Sequence, residues 1–430
     1  MANTFAKETL VAFNDTVEGF EDQLVISKSF RNMAEEGVAL ERAYNTIWMP
    51  QPYIAQSFTG INQTSNFARN YAQLTVPVSL SYSHSVPFTL SATELRDPLQ
   101  QKRIMKSALQ RLASDINVDC SNLAALQGSI FVKRTTSASG FDDVAAIDTA
   151  MNRVGISMND RKAFYNSADY NSMASNLAAR GTLSGKAQNA YEKAYIGEVA
   201  GFDTYKLDYG YRLTAAAATG VTITNTLPLY YTPSPTTTST DGLSKTNNDN
   251  RFQTVNLAVT SGTLKAGDAF TIGTGGTAVN EVHHMTKGDT GSLKTFRIVS
   301  QASGTAGGSG NYVITPPLIS GTGATDPELQ YKNVTQAATN GASLTFLNTV
   351  STILNPFWQD EAMVIMPAKY EPDPNSGMAV TSLTTDSGIT IVMAKQAQIG
   401  TLDTLYRLDA YYGLANLQPE MSGVEAFNQT

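Results

Sequence analysis

The chain has 430 residues, of which 16% are charged, and a formal net charge of −7. This length exceeds what one hydrophobic core supports, so we expect two or three domains. An acidic chain lacks the basic surface through which proteins bind nucleic acids, and a charged fraction below the usual value of about 25% indicates that much of the surface faces other protein.

Neither export nor membrane insertion is indicated. No stretch approaches the roughly 18 consecutive apolar residues of a transmembrane helix. The first 24 residues carry Asp and Glu where a signal peptide needs an apolar run. Cys120 is the only cysteine, which excludes an intrachain disulfide and a cysteine-rich metal site. We therefore expect a protein that is made and kept in a cytoplasm.

Residues 5–27 have the pattern of an amphipathic helix. The apolar positions are three or four residues apart and form one stripe, which consists of Leu10, Phe13, Val17, Phe20 and Leu24. An acidic stripe with the same spacing consists of Asp15, Glu18 and Asp22. The acidic stripe is either a solvated face or a contact for a basic partner. We expect this helix to order fully only against a partner or a neighbouring subunit.

Residues 72–92 alternate strictly, with apolar side chains at the even-numbered positions. This pattern predicts a long, half-buried β-ribbon. Pro77 and Pro87 cannot donate ladder hydrogen bonds, so we expect the strand at a sheet edge or in a two-stranded arm. His84 shares the apolar face and has no acidic neighbour in the sequence, which predicts a packing role rather than metal binding.

Residues 97–128 predict a long helix. Asp97 is suited to cap its start, Pro98 suits the first helical position, and Gly128 is a natural stop. The apolar positions between them recur every three or four residues. A helix of this length spans roughly 45 Å, more than the width of a small domain, and is expected to act as a scaffold.

The rest of the chain changes character twice. Residues 129–221 and 349–430 mix helix and strand patterns, whereas 222–348 are rich in Thr, Gly and Ser with short apolar strands between turn signals. That composition predicts a small all-β barrel or sandwich inserted into an α/β domain. Within it, residues 233–250 have too little apolar content to pack and are expected to form a projecting, mobile loop.

Candidate catalytic and metal-binding motifs are absent from the sequence. The segment 181–187 resembles a phosphate loop, but it has one residue too few between its glycines and no hydroxyl after its lysine. His283 and His284 are adjacent, and a strand would point their rings to opposite faces. We therefore predict no enzyme activity, no metal and no cofactor.

Seven segments carry a family resemblance. They are NTIWMP (45–50), ELRD (94–97), RIMKSALQRLAS (103–114), VAGFD (199–203), DNRFQTVNLAVTSGTLKAGDAFTI (249–272), NPFWQDEAMVIM (355–366) and LDAYYGLANLQPE (408–420). Their order and spacing resemble the major capsid proteins of tailed phages, which have the HK97-like fold. The resemblance is strongest to the coat proteins of the Salmonella-phage podovirus (Lederbergvirus) type, and it spans nearly the whole chain.

The resemblance implies an α+β fold with a defined layout. The parts are an N-terminal helical arm at 1–30, an E-loop with P-domain strands at 31–96, a spine helix at 97–128, a P/A-domain core at 129–221 and 349–430, and an inserted Ig-like (telokin-like) I-domain at 222–348 with a D-loop at about 233–250. Residues 51–75 and 300–340 depart most from the family pattern.

The resemblance also implies function and partners. Coat subunits of this family assemble with a scaffolding protein and a portal protein, in the bacterial host cytoplasm, into hexamers and pentamers of an icosahedral procapsid. The shell encloses double-stranded DNA without sequence-specific binding, expands on maturation and becomes the capsid of the virion. No membrane is involved. A wall around dense DNA should not be strongly basic, and the net charge of −7 agrees with that.

Two sets of site residues follow from the resemblance. Asp15 and Glu18 are the candidates for binding a basic scaffolding helix-turn-helix. The D-loop is expected to bridge neighbouring capsomers, and its charged candidates are Asp241, Lys245, Asp249 and Arg251. Two alternatives remain open, an encapsulin-like compartment shell that encloses enzyme cargo and a Thr/Gly-rich surface-adhesion protein, which should carry an export signal.

Overall fold

The computed structural model describes residues 11, 13, 17, 20, 24–33, 46–51, 54–67, 74–179, 196–224, 236–238, 244–246, 249–321, 326–370, 377–385 and 388–430. The chain forms two compact units. The first unit consists of Met1–Ile47, Val78–Ser121 and Met363–Ala415, and the second of Trp48–Pro77, Asn122–Ala362 and Asn416–Thr430.

The helices of the described chain are α1 Pro98–Gln127, α2 Phe141–Val154, α3 Ser167–Ala179 and α4 Asp326–Gln330. The strands are β1 Arg31–Asn32, β2 Thr46–Pro50, β3 Thr75–Leu90, β4 Ile130–Lys133, β5 Arg161–Asn166, β6 Glu198–Val199, β7 Phe202–Leu207, β8 Arg212–Leu213, β9 Thr222–Ile223, β10 Thr236–Thr238, β11 Ser244–Thr246, β12 Gln253–Ala258, β13 Ala269–Ile272, β14 Asn280–Val282, β15 Asp289–Leu293, β16 Phe296–Gly304, β17 Gly310–Thr315, β18 Leu344–Phe346, β19 Thr352–Ile353, β20 Asn355–Gln359, β21 Met363–Ala368, β22 Ala379–Thr384, β23 Thr390–Gln398, β24 Asp403–Asn416 and β25 Ser422–Ala426.

One sheet organises the first unit. Its strands run in the order β1-β21-β24-β23-β22, and β3 pairs antiparallel with β24. Along β3 the even-numbered side chains are the less exposed ones, as the alternating sequence predicts. The strand also pairs with β2, so the ribbon predicted at 72–92 is confirmed.

Helix α1 is confirmed with nearly the predicted bounds. The Asp97 carboxylate accepts the amide N–H of Leu99 at 3.0 Å, which is the expected cap. The residues of the predicted apolar stripe from Met105 to Ala124 are buried. Cys120 is fully buried among them, and burial raises the pKa of its thiol well above the ordinary value.

A second sheet, in the order β4-β25-β20-β5-β7-β6, lies in the second unit. Strands β20 and β25, which follow the β-rich region in the chain, lie between strands that precede it, so the two flanks interleave as predicted. The flank 349–430 is nevertheless shared between the units. Residues 363–415 belong to the first unit, because β24 pairs there with β3 and β23.

The β-rich region has a hydrophobic core of its own. Six antiparallel strands run in the order β18-β13-β16-β17-β12-β9. Phe270, Phe296, Ile298, Tyr312 and Ile314 are among the buried side chains that pack together there. Seven short apolar segments of this region are predicted strands, and the six that lie in the described residues all overlap a strand of this sheet: VTIT (221–224), RFQTVNLAV (251–259), AFTIG (269–273), TFRIV (295–299), NYVIT (311–315) and SLTFL (343–347). The predicted segment LPLYY lies outside the described residues.

Arg297 joins this β-rich region to the end of α1. The side chain is completely buried on β16, and its guanidinium donates to the carbonyl oxygens of Ala125 at 2.9 Å, Gly128 at 3.5 Å and Gly267 at 3.0 Å. It also lies 5.5 Å from the ring centroid of Phe131. Burial lowers the pKa of Arg297 to about 10, so the group stays charged at neutral pH. A cation at a helix carboxyl end is stabilised by the helix dipole.

We predict that Arg297→Ala lowers the free energy of unfolding by about 3–5 kcal/mol, because three buried carbonyl groups lose their donor. Urea unfolding followed by circular dichroism measures the loss. Arg111→Ala is the matched control, since Arg111 makes an exposed pair with Asp115 on α1 and should cost about 0.5 kcal/mol or less. Equal midpoints for the two variants would contradict the prediction.

Candidate functional site

The apolar side of the predicted N-terminal helix is buried. Positions 11, 13, 17 and 20 are helical. Phe13, Val17, Phe20 and Leu24 are at most 3% exposed, which confirms their place in the predicted stripe. The candidate scaffold contacts Asp15 and Glu18, together with Leu10, lie outside the described residues.

The predicted D-loop contains a small hairpin. Strands β10 and β11 pair antiparallel within it, with Thr237 opposite Lys245. Lys245 therefore lies in a strand of this hairpin. Asp241 lies outside the described residues.

Asp249 and Arg251, at the base of that hairpin, pair with each other. The Arg251 guanidinium donates to both carboxylate oxygens of Asp249, at 2.9 and 2.8 Å. Its remaining terminal nitrogen donates to the carbonyl oxygen of Asn416 at 3.0 Å. Arg251 is only 8% exposed. This pair is engaged within the subunit, so Asp241 and Lys245 remain the charged candidates of the predicted D-loop.

His84 has an acidic partner that the sequence pattern did not reveal. Its Nε2 lies 2.6 Å from the Asp119 carboxylate on α1, and the same oxygen accepts the Tyr412 hydroxyl at 2.8 Å. Tyr82 stacks on Tyr412 with ring centroids 5.6 Å apart. Burial and the Asp119 charge raise the pKa of Tyr412, so the hydroxyl stays a neutral donor. His84 thus makes a side-chain contact with a carboxylate within the first unit, which corrects the packing role expected above.

His283 and His284 have separate environments. Nδ1 of His283 accepts the backbone N–H groups of Met285 and Thr286, at 3.3 and 3.2 Å, in the turn that follows β14. Desolvation lowers the pKa of His284 to about 4, so that ring is neutral at pH 7. Among the residues that the structure describes, no group of three or more His, Cys, Asp and Glu side chains is arranged to hold a metal ion.

The charged residues of the second unit pair largely with each other. Lys294 Nζ lies 2.5 Å from Glu420, and the partly buried Arg134 donates to Asp143 at 2.8 Å.

None of the helices that the structure describes combines the length and the apolarity needed to span a lipid bilayer.

The chain matches one family model and is similar to several solved structures. Residues 1–428 match the family model described as "P22 coat protein - gene protein 5". Similar solved structures include one of Mycobacterium phage Che8, with 10% sequence identity, coverage of 94% of this chain and 90% of that chain, and a TM-score of 0.43. The capsid of Cyanophage P-SCSP1u has 10% identity, 89% and 83% coverage, and a TM-score of 0.41. The mature capsid of bacteriophage PhiM1 has 8% identity, 89% and 82% coverage, and a TM-score of 0.39.

We predict that acidification destabilises the subunit through His284. Its folded pKa of about 4 lies below the ordinary value of 6.5, so between these values the unfolded chain binds a proton that the folded chain does not. The free energy of unfolding therefore decreases as the pH falls from 6.5 towards 4. The decrease is about 2 kcal/mol, because the partial exposure of the ring screens part of the effect. Urea unfolding at pH 7 and pH 4.5 should show a smaller loss for His284→Gln than for the wild type.

Met285→Gln is the matched control for His284→Gln, because it changes an exposed, non-titrating side chain in the same turn. Its pH dependence should equal that of the wild type. Identical pH dependence for His284→Gln and Met285→Gln would show that His284 titrates no differently in the folded and unfolded chains.

Proposed function

Because this chain belongs to the P22 coat protein family and is a major capsid protein that forms the shell of a virion, we propose that its subunits assemble with a scaffolding protein and a portal ring. The match over residues 1–428 is the observation that carries this proposal. The same match favours a phage shell over the two alternatives, the encapsulin-like compartment and the surface-adhesion protein. The family is a structural one, not an enzyme family.

The proposed product is an icosahedral procapsid of hexamers and pentamers, built in the host cytoplasm, that packages double-stranded DNA and expands. The net charge of −7 supports a shell that encloses DNA without binding it tightly. Tight binding of DNA requires many Lys and Arg contacts to its phosphates, and an acidic subunit does not favour them. The charged fraction of 16% supports a subunit that buries much of its perimeter, since interface cores are depleted in charge.

We extend the proposal to the domain layout. The HK97-like arrangement places the arm at 1–30, the E-loop at 31–96, the spine helix at 97–128 and an Ig-like I-domain at 222–348. Strands β9, β12, β13, β14, β16, β17 and β18 contribute to one hydrophobic core within the last range, which supports an inserted β domain. The antiparallel pairing of β8 with β19, at the two ends of the insert, brings its entry and exit together.

The N-terminal arm is proposed as the scaffold-binding element, with Asp15 and Glu18 as its contacts. Burial of Phe13, Val17, Phe20 and Leu24 supports this assignment, because an amphipathic helix with its apolar stripe covered presents its polar stripe outward. A basic scaffold helix facing this stripe would complete exposed ion pairs. Each pair is weak, but the contact repeats in every subunit of a shell.

The D-loop is proposed as a bridge between capsomers, with Asp241 and Lys245 as its charged contacts. Residues Asp249 and Arg251 support the bridge from within the subunit, because their mutual pair and the bond to Asn416 fix the base of the hairpin. The pairing of β10 with β11 supports a projecting arm of defined register rather than an unstructured loop.

We predict that the chain forms closed particles when it is co-expressed with the scaffolding protein of its own phage, because the proposed assembly route requires that partner. Sedimentation followed by negative-stain electron microscopy measures the yield of closed particles. Without the scaffold, the yield of correctly sized particles should fall. If only monomers and small oligomers form in both cultures, the proposed assembly route is wrong.

We predict that Asp15→Ala with Glu18→Ala reduces scaffold incorporation while the subunit stays folded. Exposed ion pairs of this kind contribute about 0.2–1 kcal/mol each, and salt shortens their range to about 8–10 Å. The defect should therefore resemble the effect of added salt on the wild type, measured as the scaffold-to-coat ratio of purified procapsids.

Asp203→Ala with Asp208→Ala is the control for that double variant. It removes the same charge from two exposed positions in the second unit and should leave the scaffold-to-coat ratio at the wild-type value. If the Asp15 and Glu18 variant recruits scaffold normally at every salt concentration, the acidic stripe is only a solvated face.

A further inference from the structure

A small cavity in the second unit lies where four parts of the chain meet. Its lining comes from residues 51, 54 and 74, from Val154 at the end of α2, from the β-rich region and from residues 418–420. Its walls are mixed, with apolar side chains such as those of Pro316, Pro317 and Ile319 beside charged and amide side chains. Its volume is about 50 Å³. That is room for roughly four water-sized groups, which fits the four oxygens of a tetrahedral oxyanion and is too small for a nucleotide.

The cavity is surrounded by more cations than anions. Arg251, Lys287 and Lys332 line it, and Glu420 is the one carboxylate among its described lining residues. Internal pairing accounts for part of this charge. Arg251 is paired with Asp249, and Glu420 is paired with Lys294 at 2.5 Å. Lys287 and Lys332 therefore remain as ammonium groups that no carboxylate of the described chain pairs with.

Lys287 is held at the cavity by a neutral acceptor. Its Nζ donates to the carbonyl oxygen of Lys332 at 3.2 Å, which satisfies one of its three N–H donors. Desolvation, together with repulsion from Lys294 and Lys332, lowers the pKa of Lys287 to about 8, against the opposing pull of Glu420. The group is still a cation at pH 7. A cation that is partly removed from water is stabilised by an anion in contact with it.

Two buried amides add acceptors to the same cavity. Asn250 and Gln418 line it, and each residue is only 8% exposed. The carbonyl oxygen of each side chain has no hydrogen-bond donor among the described residues. A ligand that fills the cavity must therefore bring negative charge to the lysines and O–H donors to these oxygens. Dihydrogen phosphate, a major form of inorganic phosphate near pH 7, carries a negative charge and two O–H donors, whereas sulfate at neutral pH has no proton to donate.

We propose that this cavity is a binding site for inorganic phosphate, in which Lys287 and Lys332 pair with its negative charge and the side-chain carbonyl oxygens of Asn250 and Gln418 accept hydrogen bonds from its two O–H groups. The ligand would contact groups from the β-rich region and from the 416–430 segment at once. Bound phosphate therefore stabilises the folded subunit, because it binds the native arrangement and not the unfolded chain.

Isothermal titration calorimetry on the unassembled full chain tests the proposal. Sodium phosphate and sodium sulfate are titrated separately at pH 7 and equal ionic strength. We expect one phosphate per subunit, at least tenfold weaker binding of sulfate, and a rise in melting temperature with phosphate that sodium chloride does not reproduce. No heat with phosphate at millimolar concentration, or equal affinities for phosphate and sulfate, would overturn the site.

Variants separate the roles of the side chains. Lys287→Met with Lys332→Met should abolish phosphate binding, and Lys265→Met, at an exposed lysine of the same β-rich region, should bind like the wild type. If the double variant does not fold, Lys332→Met alone should weaken binding at least tenfold with an unchanged circular dichroism spectrum. Gln418→Met removes one hydrogen-bond acceptor and should lower the ratio of phosphate affinity to sulfate affinity. Wild-type binding by the folded lysine variants would refute the assignment.

Discussion

The carboxyl end of α1 lies inside the protein, where Ala125 and Gly128 are buried, and the guanidinium of Arg297 supplies donors to their carbonyl oxygens. The last turn of a helix has no intrahelical donors for its carbonyl groups, and burying them unpaired is costly. The donor comes from β16, about 170 positions later in the chain. The β-rich region therefore supplies the hydrogen-bond donors for the carboxyl end of α1, the longest helix that the structure describes. It contributes to the stability of this helix end as well as to its own core.

Local periodicity predicted much of the fold, because its causes are local. The alternating pattern around Thr75–Leu90 and the capped apolar stripe of Pro98–Gln127 depend on neighbouring residues alone, and both elements were found with nearly the predicted bounds. The division of 349–430 between two units was not predictable in this way. It depends on the pairing of β24 with β3, which joins residues more than 300 positions apart.

The site residues show the same limit. His84 was assigned a packing role because no acidic residue is near it in the sequence, yet Asp119 reaches it from α1. Arg251 was expected to reach a neighbouring capsomer because it stands in a charged loop, and the structure shows it paired with Asp249. A sequence shows which charges are present. It does not show which of them are already neutralised inside the subunit, and that decides what remains for assembly.

Cys120 has a practical consequence for following the shell. The thiolate is the reactive form of cysteine, and in α1 the thiol is fully buried with a pKa raised well above the ordinary value. Alkylating reagents therefore modify it only when the helix opens. The chain has no other cysteine. The rate of alkylation in assembled particles therefore measures how often α1 opens, averaged over the subunits, and no residue has to be changed to measure it.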